Sequence, residues 1–114
     1  MQDENIKIIE KPWGKEEILE TNENYTVKRL TMNEGCRCSY QYHEKKLETI
    51  LVLGGELTIS YENGIKKYKP GECVTIKPFE KHRMSSERGN AIYLECSTSE
   101  LEDVVRIKDD YGRK

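Results

Sequence analysis

Closely spaced turn signals constrain the fold of this chain more than any other feature of its sequence. Glycine, proline and asparagine punctuate it at Asn33-Glu34-Gly35, Gly54-Gly55, Asn63-Gly64 and Pro70-Gly71. Between these turns lie short segments rich in β-branched and aromatic residues, namely TVKRLTM, ETILVL, ELTISY, IKKY, CVTI and AIYLEC. Strands that recur about every ten residues are typical of β-sandwiches and barrels. The pattern therefore predicts an all-β fold.

Two local signals refine this prediction. Asn63-Gly64 lies between two strand-like segments and predicts a two-residue hairpin turn, because both central positions of such a turn need positive φ. A convincing helical period is absent, although Ser99 could cap one short helical turn over 99–105.

Length and charge restrict the function classes. The chain has 114 residues, enough for one domain, and its 19 basic and 21 acidic residues give a net charge of −2. This balance makes nucleic acid an improbable main partner. No apolar run approaches the roughly 18–20 residues of a membrane span, and the N-terminal segment lacks the apolar region of a signal peptide. We therefore expect a cytoplasmic protein without membrane contact.

The four cysteines fit a reducing compartment. Cys36, Cys38, Cys73 and Cys96 are expected to be free thiols, buried as small apolar side chains in strands. The alternative is a zinc site made of all four thiolates, but only Cys36 and Cys38 have the close spacing of a metal-binding pair.

The two histidines form the chemically most informative group. His43 ends the strand after Gly35, and His82 opens the strand after Pro78. Glu48 follows His43 by five residues and could turn back toward it across an antiparallel hairpin. Two imidazoles and one carboxylate can bind a divalent metal while leaving positions open for substrate. Gln41, on the same strand face as His43, could add an oxygen ligand, but ordinary hydrogen bonds could also satisfy all these groups.

The surrounding sequence resembles the two motifs of the cupin family. The first block runs from Gly35 through His43 and Glu48 to Gly54, and the second from Gly71 through Pro78 to His82. The resemblance implies a single-domain antiparallel β-barrel of jelly-roll type over 1–114. Within it we expect an N-terminal arm over about 1–24, a barrel over about 25–97 and a C-terminal tail over about 98–114.

Four further segments resemble the type II phosphomannose isomerase domain, which is a cupin. They are KPWG, YTVKRLTM, EKHR and EDVVRIKDDYGR, and the resemblance covers about 10–113. It implies interconversion of mannose 6-phosphate and fructose 6-phosphate with one divalent ion, Zn, Mn, Co, Ni or Fe. The implied metal ligands are Gln41, His43, Glu48 and His82. Nothing in the chain resembles a nucleotidyltransferase domain.

The chain departs from the family pattern beside these ligands. The family's first block reads Q-x-H-H-H-R-x-E-H-W, whereas this chain reads QYHEKKLETI from Gln41. Lys45 replaces one ligand histidine, and an ammonium group cannot bind a metal. Lys46 replaces an arginine and keeps its charge. In the second block, Pro78-Phe79-Glu80 replaces the family's P-x-G.

Basic residues are the candidates for contact with substrate. Lys28 has the same strand parity as Leu30 and Met32, so it is expected to point into the barrel mouth. With Lys46 and Arg106 it is predicted to bind the phosphate of a sugar. Lys45 and Arg106 are the candidate catalytic residues, and the base is not identified by the sequence.

Three functions are compatible with these residues. The first is a metal-dependent isomerase of a phosphorylated hexose. The second is a sugar-binding cupin whose degenerate metal site has lost catalysis. The third is another metalloenzyme, because two histidines and one carboxylate also form the facial triad of non-haem iron oxygenases. In each case a homodimer is expected, because a small sandwich leaves edge strands that can pair with a second copy.

Overall fold

Alternation of buried and exposed side chains identifies the central strands of the protein. A computed structural model describes residues 6–100 and 102–113. Every second residue from Thr26 to Met32 is buried, and AIYLECS alternates in the same way from Ala91. Because a strand has a side-chain period of two, each segment directs one face into the interior.

The described residues form eleven strands and no helix. The strands are β1 (Lys7–Lys11), β2 (Gly14–Thr21), β3 (Thr26–Met32), β4 (Tyr40–Tyr42), β5 (Glu48–Gly54), β6 (Leu57–Tyr61), β7 (Gly64–Tyr68), β8 (Cys73–Ile76), β9 (His82–Ser85), β10 (Ala91–Ser97) and β11 (Val105–Lys108). The six segments that the sequence predicted as strands are all confirmed. The all-β prediction is therefore confirmed.

The strands pair in two antiparallel sheets. The first has the order β1-β2-β3-β10-β5-β8 and the second the order β11-β4-β9-β6-β7. Buried apolar side chains from both sheets fill the space between them: Trp13, Leu30, Met32, Cys38, Ile50, Val52, Leu57, Ile59, Ile76, Met84, Ala91 and Tyr93. The architecture is a jelly-roll sandwich, and the two sheets do not close into one continuous barrel.

The predicted hairpin forms, but its turn lies one residue earlier than expected. Tyr61 pairs with Gly64, so Glu62 and Asn63 are the central turn residues. Neither Glu62 nor Asn63 has a positive φ, because among the described non-glycine residues only Phe79 does. Gly64 instead opens β7 with a φ of +151°. The asparagine-glycine signal located the hairpin correctly and its turn type incorrectly.

The expected hairpin between the strand of His43 and the strand of Glu48 is wrong. β4 belongs to the second sheet and β5 to the first. The segment between them crosses from one sheet to the other, so Glu48 approaches His43 across the sandwich. The two side chains still meet, because both point into the space between the sheets.

The first two described strands and the last one extend the two sheets. β1 and β2 extend the first sheet, and β11 pairs with β4, with Arg106 opposite Gln41. The short helical turn proposed over 99–105 is not formed by the described residues there, although Leu101 lies outside them. Glu102 is in a turn and β11 begins at Val105.

The cysteines are free thiols, as expected. Cys38 is buried, but Cys73 and Cys96 are exposed, so the prediction of burial is wrong for these two. They lie in β8 and β10 at positions that face away from the core. Over residues 6–100 and 102–113, the cysteines form no cluster with metal-binding spacing, which contradicts a four-thiolate site.

Candidate metal centre and cavity

Backbone carbonyls orient both histidines toward the same point. The Nδ1 atom of His43 lies 2.5 Å from the carbonyl oxygen of Asp103, and Nδ1 of His82 lies 2.8 Å from that of Glu80. A carbonyl oxygen only accepts hydrogen bonds, so each Nδ1 carries the hydrogen and each neutral ring keeps a lone pair on Nε2. This outer hydrogen bond is typical of metal-binding histidines.

Glu48 completes a group of three buried side chains. Its Oε2 atom lies 3.7 Å from Nε2 of His43 and 3.8 Å from Nε2 of His82. These separations are too long for hydrogen bonds, and Nε2 of each histidine has no hydrogen-bond partner among the described residues. The three ligand atoms lie within 4.8 Å of one another. Two buried lone pairs and a carboxylate without hydrogen bonds at their meeting point fit a divalent cation.

The pKa values of Glu48 and His82 favour the protonation states that bind a cation. Burial disfavours a charged Glu48, but contacts with His43, Lys46 and His82 outweigh it and lower the pKa of the carboxyl to about 2. Burial also lowers the pKa of His82 below its ordinary value. The carboxylate is therefore charged near neutral pH, and His82 keeps the neutral form that a metal ligand requires.

Lys46 is the basic residue that reaches the centre. Its buried ammonium lies 3.4 Å from Oε1 of Glu48, whereas the two histidines approach Oε2. Burial alone would lower the pKa of Lys46, but the carboxylates of Glu95 and Glu48 raise it above its ordinary value. Lys46 thus supplies a positive charge beside the carboxylate of the candidate metal centre.

Asp103 fixes the segment that carries these groups. Its carboxylate accepts hydrogen bonds from the backbone N–H groups of Glu44, Lys45 and Lys46, at 3.0, 2.7 and 2.8 Å. Its own carbonyl also accepts the bond from His43. One residue therefore holds both the loop and the ring, which makes Asp103 a positioning residue for the centre. Three N–H donors lower its pKa despite the opposing effect of burial.

Phe79, in the second motif segment Pro78-Phe79-Glu80, contacts the first motif at Tyr42 and His43. The backbone N–H of Phe79 donates to the carbonyl of His43 at 2.6 Å, and its ring stacks on Tyr42. Phe79 adopts a φ of +66°, a left-handed conformation that is rare for a bulky residue. The turn before His82 is thereby hydrogen-bonded to His43, the residue that follows β4.

A cavity of about 510 Å³ opens beside His43. Its lining combines six basic residues with three acidic ones: Lys7, Lys11, Lys28, Lys46, Arg106 and Arg113 against Glu16, Glu95 and Glu102. Trp13, Leu30, Met84 and Tyr93 add apolar surface. This volume is in the range of small-molecule sites, and the excess of positive charge favours an anionic ligand.

The structure brings most of the predicted site residues to this cavity. Lys28 is buried, as its parity predicted, and its Nζ lies 3.3 Å from Oε1 of Glu16. Gln41 and Arg106 line the cavity from paired strands. The Oε1 atom of Gln41 accepts a hydrogen bond from Ser39 at 2.5 Å. A role for Gln41 as a ligand stays a prediction.

Glu48 and His82 are buried and are not part of the cavity lining, and Lys45 is the predicted site residue that lies on the surface. It is exposed and does not line the cavity, whereas the next residue, Lys46, points inward. Glu44 and Lys45 lie in a bend and are both exposed, whereas Lys46 is buried, so of the two lysines Lys46 is the one that approaches Glu48. A catalytic role for Lys45 therefore stays a prediction without geometric support.

Two residues of the site were missed by the sequence analysis. Glu95 is a buried carboxyl on β10 that lines the cavity, and Asp103 supports the loop. Glu95 could have been found from the alternation in AIYLECS, because it shares the inward parity of Ala91 and Tyr93. No comparable local signal exists for Asp103, whose partners lie nearly sixty residues away.

Two facing antiparallel sheets and an inward His-Glu-His group define the chain as a cupin. A cupin from Shewanella frigidimarina described as RmlC-like superposes with a TM-score of 0.76 at 17% identity, covering 90% of this chain and 91% of that one. A cupin-superfamily sugar phosphate isomerase from Silicibacter pomeroyi superposes with a TM-score of 0.68 at 19% identity, covering 75% of this chain and 59% of that one. These likenesses concern the fold.

The sequence comparison identifies the family. The chain belongs to the family described as mannose-6-phosphate isomerase C-terminal, whose model matches residues 2–109. Proteins named mannose-1-phosphate guanylyltransferase, from Salmonella typhimurium and from Escherichia coli, are each 31% identical to it over 111 residues. The match covers 92% of this chain and 23% of each relative. The chain thus spans about a quarter of the length of these curated relatives.

Among the described residues, no helix has the length and apolar character needed to cross a membrane.

Proposed function

We propose that this cupin is a metal-dependent isomerase that interconverts a phosphorylated aldose and ketose, mannose 6-phosphate and fructose 6-phosphate. The observation that carries the proposal is the meeting of two Nε2 lone pairs with Glu48 beside a cavity rich in basic residues. The family match supports the substrate class.

Different residues of the site would bind the metal ion and shield the sugar from water. His43, His82 and Glu48 would hold the divalent ion, which when bound would polarise the sugar oxygens at the first two carbons. The apolar wall of Trp13 and Leu30 borders the cavity and would limit the access of water to the reacting carbons. Isomerisation also needs a group that removes a proton from carbon.

The phosphate would bind at the cationic part of the cavity wall. Arg106 lines the cavity, and its guanidinium group suits a phosphate because it can donate two parallel hydrogen bonds. Lys28 also lines the cavity and would contact the phosphate beside its ion pair with Glu16 at 3.3 Å. Lys46 is committed to Glu48 at 3.4 Å. Its predicted part in phosphate binding is therefore proposed as a general electrostatic attraction.

One observation favours a second candidate function, a sugar-binding cupin without catalysis. The Lys46 ammonium already neutralises Glu48 inside the protein, and its positive charge opposes a divalent ion bound to the same carboxylate. If this repulsion dominates, the cavity would still bind an anionic sugar, but the centre would hold metal weakly.

A metal titration combined with a coupled assay separates the two functions. Protein without a histidine tag is stripped with a chelator and supplied in turn with Mn²⁺, Co²⁺, Ni²⁺, Zn²⁺ or Fe²⁺. Bound metal is measured by mass spectrometry, and conversion of mannose 6-phosphate is followed by enzymatic detection of fructose 6-phosphate. We expect about one ion per chain together with turnover, and the loss of both in His82→Ala.

Two neighbouring lysines offer a matched pair of variants. Lys46→His adds an imidazole beside Glu48, whereas Lys45→His adds the same group on the exposed side of the loop. Turnover in Lys46→His but not in the wild type would establish the non-catalytic alternative. Bound iron with oxygen consumption and no isomerisation would instead indicate an oxygenase.

We also propose a homodimer, as the sequence suggested. The described sheets end in β1 and β8, and in β11 and β7. Exposed sheet edges can pair with a second copy. Sedimentation equilibrium that gives a monomer mass at micromolar concentration would refute this state.

A further inference from the structure

Glu95 is a buried residue whose carboxyl faces the cavity. It lies on the central strand β10, it is 9% exposed, and it is part of the cavity lining. Its backbone pairs with both neighbouring strands. Its carboxylate, in the portion of the chain that the structure describes, makes no side-chain hydrogen bond and no ion pair within 4 Å, and opens onto the cavity. A buried carboxyl normally has such a partner, because burial without one is costly. Its position therefore calls for a functional explanation.

The strand register places Glu95 between the two ends of the proposed substrate site. Glu95 is directly opposite Lys28 on β3, which lines the phosphate-binding part of the cavity. On the other side, β5 pairs Ile50 with Glu95 and Glu48 with Ser97. Glu48 is thus the diagonal neighbour of Glu95 on the same sheet face, roughly 7 Å away along the sheet. A hexose phosphate that reaches from Lys28 to the metal centre passes over Glu95.

The other acids and bases of the cavity wall are less suitable for proton transfer. Glu16 is paired with Lys28 and Lys11, and Glu102 is exposed. Burial raises the pKa of the Cys38 thiol to about 11, so it stays protonated. Burial also raises the pKa of Tyr93 well above its ordinary value. These groups are either occupied or in the wrong protonation state for a base.

We propose that Glu95 is the catalytic residue that moves the carbon-bound proton between the first two carbons of the sugar, an inference that rests on the proposed isomerase function. The carboxylate takes the proton from C2 of the aldose. The electrons of the C2–H bond form a C1–C2 double bond, and the carbonyl electrons move to O1. A hydroxyl proton passes from O2 to O1, the C2 carbonyl forms, and the Glu95 carboxyl returns its proton to C1. No external oxidant or reductant is needed.

The electrostatic surroundings suit this role. Burial raises the pKa of Glu95 to about 7, with the charge of Glu48 and of Glu16 acting in the same direction and Lys46 and Lys28 opposing them. A general base works best when its pKa lies close to the working pH. Glu95 can therefore both accept and return a proton near neutrality.

The test compares three variants of the full metal-loaded chain in D₂O with mannose 6-phosphate. Glu95→Gln keeps the size of the side chain and removes the base. We expect kcat to fall by roughly 10²- to 10⁴-fold, the usual contribution of a general base, with KM and bound metal little changed. Deuterium incorporation at C1 of fructose 6-phosphate, measured by NMR, should fall in parallel. Glu95→Asp withdraws the carboxylate by one methylene and should fall between Glu95→Gln and the wild type.

The matched control is Glu10→Gln, which removes one negative charge from an exposed position on β1 outside the cavity lining. It should keep wild-type kcat. If the wild type turns over and Glu95→Gln retains more than a tenth of kcat, or exchanges deuterium at more than a tenth of the wild-type rate, the role of Glu95 is refuted while the isomerase function stands. If the wild type binds metal but neither isomerises nor exchanges deuterium, both proposals are refuted.

Discussion

Replacing Glu95 by glutamine should stabilise the protein, and the gain should depend on pH. The pKa of Glu95 is raised from 4.5 to about 7, mainly because burial disfavours its charged form. The folded state therefore holds a proton that the unfolded state releases, and the associated stability is complete below pH 4.5 and lost as pH rises through 7. At roughly 1.4 kcal/mol per pKa unit, the charged carboxylate costs up to about 3 kcal/mol above pH 7.

The charged groups around Glu95 determine how much of this destabilisation by the ionised carboxylate is observed. Glu48 and Glu16 raise the cost of ionisation, and Lys28 and Lys46 reduce it. We therefore expect Glu95→Gln to match the wild type near pH 4.5 and to exceed its free energy of unfolding by about 1 to 3 kcal/mol at pH 8.5.

Urea titrations at both pH values, in the presence of a chelator, measure this difference. Trp13 is the single tryptophan and is buried, so its fluorescence reports the transition. Glu10→Gln serves again as the control, because its carboxylate is exposed and should show no such rise. A Glu95→Gln variant that is less stable than the wild type at pH 8.5 would show that the carboxylate has a stabilising partner, contrary to the contacts described above.

Three further perturbations test the architecture of the site. Lys46→Met removes the buried ammonium from Glu48 and should lower the free energy of unfolding of the metal-free protein by about 3 kcal/mol. Added Zn²⁺ should restore this stability by replacing the lost positive charge. An unchanged urea midpoint would contradict a buried ion pair between Lys46 and Glu48. Asp103→Ala removes the carboxylate that accepts three backbone N–H hydrogen bonds and should lower the free energy of unfolding by about 2 kcal/mol. Equilibrium dialysis should show metal binding weakened by roughly tenfold. A metal affinity equal to that of the wild type would contradict the positioning role of Asp103. Gly55→Ala should lower the free energy of unfolding, measured by thermal unfolding, by more than about 1 kcal/mol. Gly55 has a φ of +72°, and an added Cβ would collide with the backbone carbonyl of Asn90. A variant as stable as the wild type would show that the backbone can relax at this position.

The fold was predictable because its signals are local. Alternation in TVKRLTM and AIYLECS, together with the turn residues between strands, determined which segments are strands and which side chains point inward. The inward orientation of Lys28 followed from the same parity. Sheet membership was less predictable, because a short connection can join two strands of one hairpin or carry the chain between sheets. For this reason the expected pairing of β4 with β5 failed.

The three residues of the candidate metal centre could be predicted from the sequence, but the residues that surround them could not. His43, Glu48 and His82 were found from motif spacing, which depends on where each strand begins and ends. The support from Asp103 depends on a contact between residues about sixty positions apart, and no pattern in a single sequence encodes it. The same limit applies to the pairing of Lys46 with Glu48 across a buried loop.

The position of Lys46 changes how the departures from the family pattern should be interpreted. By comparison with the family motif, Lys45 stands where a ligand histidine is expected, yet the lysine that contacts the carboxylate of the candidate metal centre is Lys46. Both oxygens of Glu48 are therefore used: Oε2 faces the two histidines and Oε1 faces the ammonium. An ion that binds at Oε2 competes with Lys46 for the negative charge of a single carboxylate. Metal affinity in this chain should therefore depend on the charge at position 46 more than on the identity of the exposed residue at position 45.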